Sequence, residues 1–412
     1  MPDKNVKKYL ENYAEPEIKA LHNFPEPNSP KPSHLKGAAY EHVIIIPAYK
    51  ESDNFIRRFL ASKLADKNVL LITVINQPDT DLNTQPQEGL HKQITSLGKL
   101  TWHNQSLNLI NLNNSSCDVL LVDRFTRTIP PDQGVGLARK IGVDLAVALH
   151  LQGFIHSPWL HSTDADATLP DNYFEPLKKT NKNVVAACYN FNHYSDNTAV
   201  HQANQQYETA LRYYVAGLSY AKSHYAFFTI GSILSFKVQQ YCMVRGFPKR
   251  SAGEDFYLLN KIAKLGAVDF FKETIIEIDA RASDRVPFGT GPTVNNILSL
   301  TENNDDYCYY HPRLFCFLKT FLHHTATLWQ SRDNLTSWFE PLPTEINVAL
   351  TQLDLTSFVN KQSKASQQQF NKQFTVWFDA FKTLKFIHAI RSQGFDDIPL
   401  YQAINEADFP IE

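Results

Sequence analysis

The chain has 412 residues, 43% of them apolar and 12% aromatic, with 40 Lys and Arg against 42 Asp and Glu for a formal net charge of -2. That length exceeds one ordinary small domain and predicts two or three cooperating regions with a sizeable core. Dispersed basic residues and a near-neutral balance exclude a nucleic-acid-binding stripe or tail.

Five cysteines, Cys117, Cys188, Cys242, Cys308 and Cys316, are far apart and odd in number. They read as reduced, mostly buried thiols of a cytoplasmic protein rather than a disulfide framework or zinc site. Met1 to Leu10 is lysine-rich and lacks the apolar stretch of a secretory signal. The most apolar late segment, Leu314 to Trp329, is broken by Lys319, His323 and His324. It predicts a buried or interfacial helix rather than a membrane span, which leaves peripheral membrane contact open.

In chain order, Val6, Tyr9, Leu10 and Tyr13 predict a short amphipathic helix over residues 3–14, ended by Pro16. Pro25, Pro27, Pro30 and Pro32 then predict a linker or strap up to about residue 40. Val43 to Ile46 reads as a strand buried on both faces and stopped by Pro47. A turn over Pro47 to Ser52, a helix to about Leu64 and a second strand over Val69 to Ile75 complete a βαβ unit. Ligands of such sheets bind outside the carboxyl ends of the strands, here near Pro47 to Glu51 and Asn76 to Asp81.

Residues 82–116, rich in Asn and Gln, read as an insertion with a helix over Gln87 to Leu97 and then loop. Val119 to Val122 restores a strand. Over Gly134 to His150, Leu137, Ile141, Leu145 and Leu149 predict a helix with Arg139, Lys140 and Asp144 on its other side. A strand over Trp159 to Thr163 then delivers Asp164 and Asp166 to the sheet edge. Val184 to Tyr189 and Thr274 to Ile278 read as further strands. Residues 200–224 read as a helix with a stripe of Tyr207, Leu211, Tyr214, Val215 and Leu218, and a second helix opens at Gly253-Glu254-Asp255. From about Pro312 the pattern is helical. The organisation expected is a linker region over 1–40, a central domain over 41–300 and a helical C-terminal region over 301–412.

Asp164 and Asp166, two positions apart, share a face if the strand persists that far. Such a pair suits a hard divalent ion, Mg2+ or Mn2+, whose other positions take water and phosphate oxygens. Alone, Asp-x-Asp is more often turn or cap chemistry. Glu254 and Asp255 fall in a first helical turn, where acidic residues complement the dipole and need no other purpose. A carboxylate there also suits proton abstraction from an acceptor hydroxyl. Arg281 and Arg285 can clamp a diphosphate bidentately or pair with Asp279 and Asp284. Trp329, Trp338 and Trp377 line an acceptor groove or belong to a core.

The order and spacing of these motifs over roughly residues 41–280 resemble a GT-A glycosyltransferase of family 2. Ile44 to Glu51 match that family's opening strand and turn, so Pro47, Ala48, Tyr49 and Glu51 are implied as nucleotide contacts. Asn76 to Asp79 stand where the family carries an Asp-Asp pair; Asn76 is neutral, with Asp79 or Asp81 as substitutes. Gly134 to Lys140, with Ala138 and Arg139, resembles the helix entry before the metal motif, which implies Arg139 as a nucleotide-sugar contact, and Asp164-Ala165-Asp166 matches that motif itself. Gly231-Ser232 resembles the acceptor-side turn. Gly253-Glu254-Asp255 resembles the Glu-Asp pair whose aspartate is the base in inverting members.

The resemblance implies an α/β GT-A fold, Rossmann-like, with a mostly parallel central sheet flanked by helices. It implies metal-dependent transfer of a sugar from a nucleotide-diphosphate sugar to an acceptor hydroxyl. Asp166 is then the direct ligand of Mn2+ or Mg2+. Asp164 ligates through water or holds the ribose, and His311 is a candidate third ligand. The acceptor, a sugar, lipid or small metabolite, is not specified. The competing readings are a sugar nucleotidyltransferase, for which no basic glycine-rich loop follows the first strand, and a non-catalytic nucleotide-sugar binder, which the neutral Asn76 keeps open.

Overall fold

Continuous apolar runs dictate the centre of the molecule. In the computed structural model, which describes residues 2–25, 39–281 and 289–411, His42–Ala48 forms β1, with every residue buried. Pro27, Pro30 and Pro32, and Ser283, Asp284 and Arg285, lie outside the described residues. The chain divides into two compact units, Met1–Ser195 with Thr229–Pro292, and Asp196–Phe228 with Thr293–Glu412.

In the first unit, α1 (Pro2–Asn12) precedes β1. After β1 come α2 (Asn54–Ala61), β2 (Val69–Pro78) and α3 (Gln85–Ser96). Next are β3 (Gly98–Asn104), β4 (Leu107–Leu112), β5 (Asp118–Ile129), α4 (Gly134–Leu151) and β6 (Trp159–Ser162). The unit continues through β7 (Ala167–Thr168) and β8 (Val184–Tyr194). After an excursion into the second unit it resumes with β9 (Leu234–Lys237), α6 (Val238–Met243), α7 (Glu254–Ile262) and β10 (Ala267–Asp279). One sheet collects all ten strands in the order β3-β4-β5-β2-β1-β6-β9-β8-β10-β7. β5, β2, β1 and β6 are parallel neighbours, as are β8 and β10, whereas β4, β9 and β7 run against their neighbours. The mixed α/β class and the mostly parallel central sheet are those expected from the sequence.

Two local expectations are corrected. β1 runs through Pro47 to Ala48 instead of stopping at Pro47. Ile45 faces β6, accepting from Thr163 N–H at 3.1 Å, so Pro47, two positions on, faces the same side. β6 pairs with β1 only at Ile44 and Ile45, and the missing proline N–H therefore costs no ladder bond. After α3, the polar stretch is an antiparallel hairpin of β3 and β4 rather than a loop. Leu107, Leu109, Ile110 and Leu112 are buried while Asn108 and Asn111 are half-buried, an alternation masked by the Asn-rich composition.

α4 packs on β1 and β2, as its leucine stripe requires. The opposite side is also buried: Arg139, Lys140 and Asp144 are each less than 5% exposed. The N-terminal segment covers it. The Asp144 carboxylate accepts from Tyr9 Oη at 2.5 Å and Tyr241 Oη at 3.2 Å on one oxygen, and from Lys140 Nζ and the Glu15 N–H at 2.8 Å each on the other. Lys140 also donates to Tyr9 Oη at 2.8 Å. Four donors leave no lone buried charge, although burial still raises the Asp144 pKa.

The second unit is helical. α5 (Thr198–Tyr220) joins α8 (Thr290–Glu302), whose residues from Thr293 on belong to this unit, and α9 (Arg313–His324). They are followed by α10 (Leu335–Phe339), α11 (Thr344–Gln352), α12 (Leu355–Lys361), α13 (Gln367–Trp377) and α14 (Ala380–Arg391). A short antiparallel pair, β11 (Cys308–Tyr309) and β12 (Ile398–Pro399), and α15 (Leu400–Asn405) complete it. Its core gathers Tyr213, Phe315, Phe321, Leu350 and Phe386. Trp338 is buried in that core and Trp329 and Trp377 pack against it, which favours the core alternative for the three tryptophans. On α5, the buried stripe runs through Ala210, Tyr213, Gly217 and Leu218, displaced by one position from much of the expected stripe. Among the described residues, no helix is long and apolar enough to cross a membrane.

The clamp on Asp144 sets an expected outcome. Lys140→Met strands a buried carboxylate and is expected to lower stability by about 3–5 kcal/mol. Tyr9→Phe removes one of several donors and is expected to cost about 1–3 kcal/mol. Denaturant unfolding followed by tryptophan fluorescence measures both, and equal losses would contradict this ranking.

Candidate active site

Asp164 and Asp166 do not lie on a strand. β6 ends at Ser162, and a turn carries the chain to β7. The turn is fixed at several points. Thr163 Oγ1 donates to the Ser232 carbonyl at 2.8 Å, the Ala167 N–H to the Asp164 carbonyl at 3.1 Å, and the Asp279 N–H to the Asp166 carbonyl at 2.9 Å. The two carboxylates are thus brought together by turn geometry, not by strand alternation.

Arg139, on the second turn of α4, organises this region. Its guanidinium donates from Nη2 to Asp164 Oδ1 at 2.6 Å, from Nη1 to Ser162 Oγ at 2.9 Å and the Thr163 carbonyl at 3.2 Å, and from Nε to Glu254 Oε1 at 2.8 Å. Burial opposes the charge, and Asp164 and Glu254 outweigh it, raising the Arg139 pKa. The side chain is only 4% exposed and each of its three nitrogens donates to protein, an arrangement in which Arg139 ties the Asp-x-Asp turn to the start of α7. Gly231 makes room for it: a Cβ there would stand 2.3 Å from Arg139 Nη2.

α7 begins behind Gly253, whose φ of 71° lies in the left-handed region that favours glycine. Glu254 is buried and ion-paired with Arg139. Asp255 is half-buried, and burial, then the neighbouring Glu254 charge, raises its pKa to about 8. Sequence reasoning expects the helix dipole to favour ionised Asp255; desolvation overrides it.

Asp166 has its pKa raised to about 7, first by burial and then by Asp164, with Glu51 and Asp279 adding and Arg281 opposing. Arg281 follows β10 and forms two hydrogen bonds to Glu51, one at 3.1 Å and one shorter, and approaches Asp166 Oδ2 at 3.4 Å. The alternative pairing of Arg281 with Asp279 is not observed. Asp279 pairs with Arg58 at 2.6 Å, and Arg58 also donates to the Ala165 carbonyl at 3.0 Å. Arg58 carries no motif in the sequence and becomes visible only through this contact.

Pro47 and Ala48 close β1, and Lys50 takes a left-handed φ of 55°. Lys50 Nζ meets Asp81 at 2.8 Å and Tyr49 Oη donates to the same carboxylate at 2.6 Å. These contacts hold the Asp81 pKa down to about 2. Of the two substitutes for a carboxylate at Asn76, Asp81 is therefore tied to the first-strand turn, whereas Asp79 is exposed. Asn76 is 7% exposed, and its Oδ1 has no hydrogen-bond partner. Arg285 lies outside the described residues. His311 belongs to the second unit, where its Nδ1 accepts from the Arg313 N–H at 3.2 Å and its ring meets Phe395.

Among the described residues no three His, Cys, Asp or Glu form a ready metal cluster. The donor set nonetheless fits a hard divalent ion. The charges of Asp164, Glu51 and Asp279 act on Asp166 and are opposed by one guanidinium, Arg281, while Asp164 spends only one of its oxygens on Arg139.

No protein-family model matches the sequence, and no curated protein matches it. Solved structures similar to this chain include S. aureus TarS 1-349 in complex with UDP-GlcNAc, at 11% identity over 86% of this chain and 91% of that chain, with a TM-score of 0.38. The mannosyltransferase PcManGT from Pyrobaculum calidifontis, in complex with GDP-Man and Mn2+, is similar at 13% identity over 96% of both chains, with a TM-score of 0.37. Likeness of this order assigns no chemistry, and the carboxylates and guanidinium groups described above have to carry it themselves.

Two outcomes follow from this geometry. Gly231→Ala drives a Cβ into Arg139 and is expected to lower the unfolding temperature, whereas Ser232→Ala, which keeps the accepting carbonyl, leaves it nearly unchanged. For Asp255, the folded state retains a proton that the unfolded chain releases between about pH 4 and pH 8, so stability falls as pH rises through that window. Asp255→Asn removes the effect. Its unfolding temperature should match the wild type near pH 4 and exceed it by a growing margin up to about pH 8. A margin that stays constant across the range would contradict the burial of this carboxyl.

Proposed function

We propose that this chain is a GT-A glycosyltransferase that moves a sugar from a nucleotide-diphosphate sugar to an acceptor hydroxyl, with inversion. One observation carries it: a single buried guanidinium, Arg139, bonds both Asp164 and Glu254, the neighbour of Asp255. That network joins an acidic, metal-suited turn to a carboxyl with a raised pKa, the two groups that such a transfer requires.

Asp166 and Asp164 would hold Mn2+ or Mg2+, which supplies positive charge to the departing diphosphate when bound. The first-strand turn, Pro47 to Glu51, and Asn76 would receive the nucleotide at the carboxyl edge of the sheet. The buried, unpartnered Asn76 Oδ1 is an acceptor aligned with that role. Arg281 and Arg285 would bind the diphosphate oxygens. Asp255 would accept the acceptor's proton as the new bond forms. With its pKa near 8, it is a stronger base than an ordinary carboxylate, and turnover should rise with pH through that value.

A panel of uridine- and guanosine-diphosphate sugars with released nucleotide as readout tests the proposal. Asp166→Asn is expected to lower nucleotide release by about 10²-fold or more. Asp255→Asn should suppress transfer while leaving Mn2+-dependent thermal stabilisation by UDP or GDP intact. Stabilisation by both nucleotides that is equal with and without Mn2+, together with unchanged release by Asp166→Asn, would refute the metal assignment.

A further inference from the structure

Arg281 reaches a carboxylate oxygen, on Asp166, that a divalent ion would need. Two of its nitrogens bond Glu51, and Nη2 reaches Asp166 Oδ2 at 3.4 Å. The longer approach to Asp166 neutralises that carboxylate only in part, so the guanidinium holds the acidic turn together without filling it. Its side chain is 39% exposed against 12% for Glu51, which leaves it free to turn while its main partner stays in place.

The two cations cannot share Asp166 without repelling one another, since like charges a few ångströms apart in a half-buried site are costly. A guanidinium displaced from carboxylates finds an equivalent bidentate partner in a phosphate. We infer that Arg281 is an internal counter-ion of the acidic turn, displaced by the divalent metal onto the nucleotide's diphosphate, so that metal and nucleotide bind cooperatively through this one side chain. The inference rests on the proposed nucleotide-sugar site and adds to it an energetic coupling between its two ligands. By linkage, whatever factor the nucleotide contributes to metal affinity, the metal contributes to nucleotide affinity.

Titration of the full chain with MnCl2, with free Mn2+ read by electron paramagnetic resonance and with or without saturating UDP or GDP, tests it. For the wild type, nucleotide should tighten Mn2+ binding by about tenfold. Arg281→Gln removes the competing cation, so Mn2+ alone should bind it several-fold more tightly than it binds the wild type, and most of the nucleotide's effect should vanish. Arg281→Lys keeps the charge and should bind Mn2+ alone as the wild type does, which separates loss of a cation from damage to the fold. Mn2+ binding by nucleotide-free Arg281→Gln that is no tighter than wild type, with the nucleotide effect retained, overturns the counter-ion role but leaves the metal site standing. Absence of Mn2+ binding by all three proteins under both conditions overturns the metal site itself, and this inference with it.

Discussion

A buried guanidinium is expensive unless its nitrogens find partners, and Arg139 meets that condition only if two separate stretches of chain, Ser162 to Asp164 and the start of α7, arrive together. The end of β6, the turn after it and the first residue of α7 must each present an oxygen at the right place. Moving α4 by even a fraction of a turn would break several charge-assisted bonds at once. The backbone at Gly231 is correspondingly bare, since any side chain there would occupy Arg139's volume.

Around this fixed centre the charges do not balance, and protons fill the difference. Asp166 and Asp255 both hold protons at pH values where an isolated carboxylate would be ionised. The α7 dipole favours ionisation of Asp255 by about 0.3–1 kcal/mol, which is less than one pKa unit. Burial and the adjacent Glu254 raise the Asp255 pKa to about 8 and therefore prevail. Any ligand that brings positive charge into the turn thus exchanges with protons as well as with Arg281.

The parts of the fold governed by local pattern were legible in the sequence. Val43 to Ile46, Val69 to Ile75 and the leucine stripe of α4 specify strand, strand and helix by periodicity alone. Pro47 was misleading because a strand end depends on where the neighbour stops, which no window of residues contains. The burial of Lys140 and Asp144 was not legible because their cover comes from Tyr9 and Glu15, more than a hundred residues away. The acidic turn and Asp255 were recognisable as a motif. Arg58, and the partners of Arg139 and Arg281, were not, because ion-pair choice is decided by tertiary geometry rather than by residue type.

The seat of Tyr9 against Asp144 also bears on how the molecule comes into being. The two residues are 135 positions apart, so α1 cannot dock on α4 until the intervening chain has been made, and its contact with α6 must wait until later still. Such distant closure is slow compared with helix formation itself. Until it happens, α4 keeps an uncovered carboxylate and lysine on the side opposite the sheet. Settling of the helix that carries Arg139 is thereby linked to capture of α1, and a substitution that weakens the seat of Tyr9 would act on that late step.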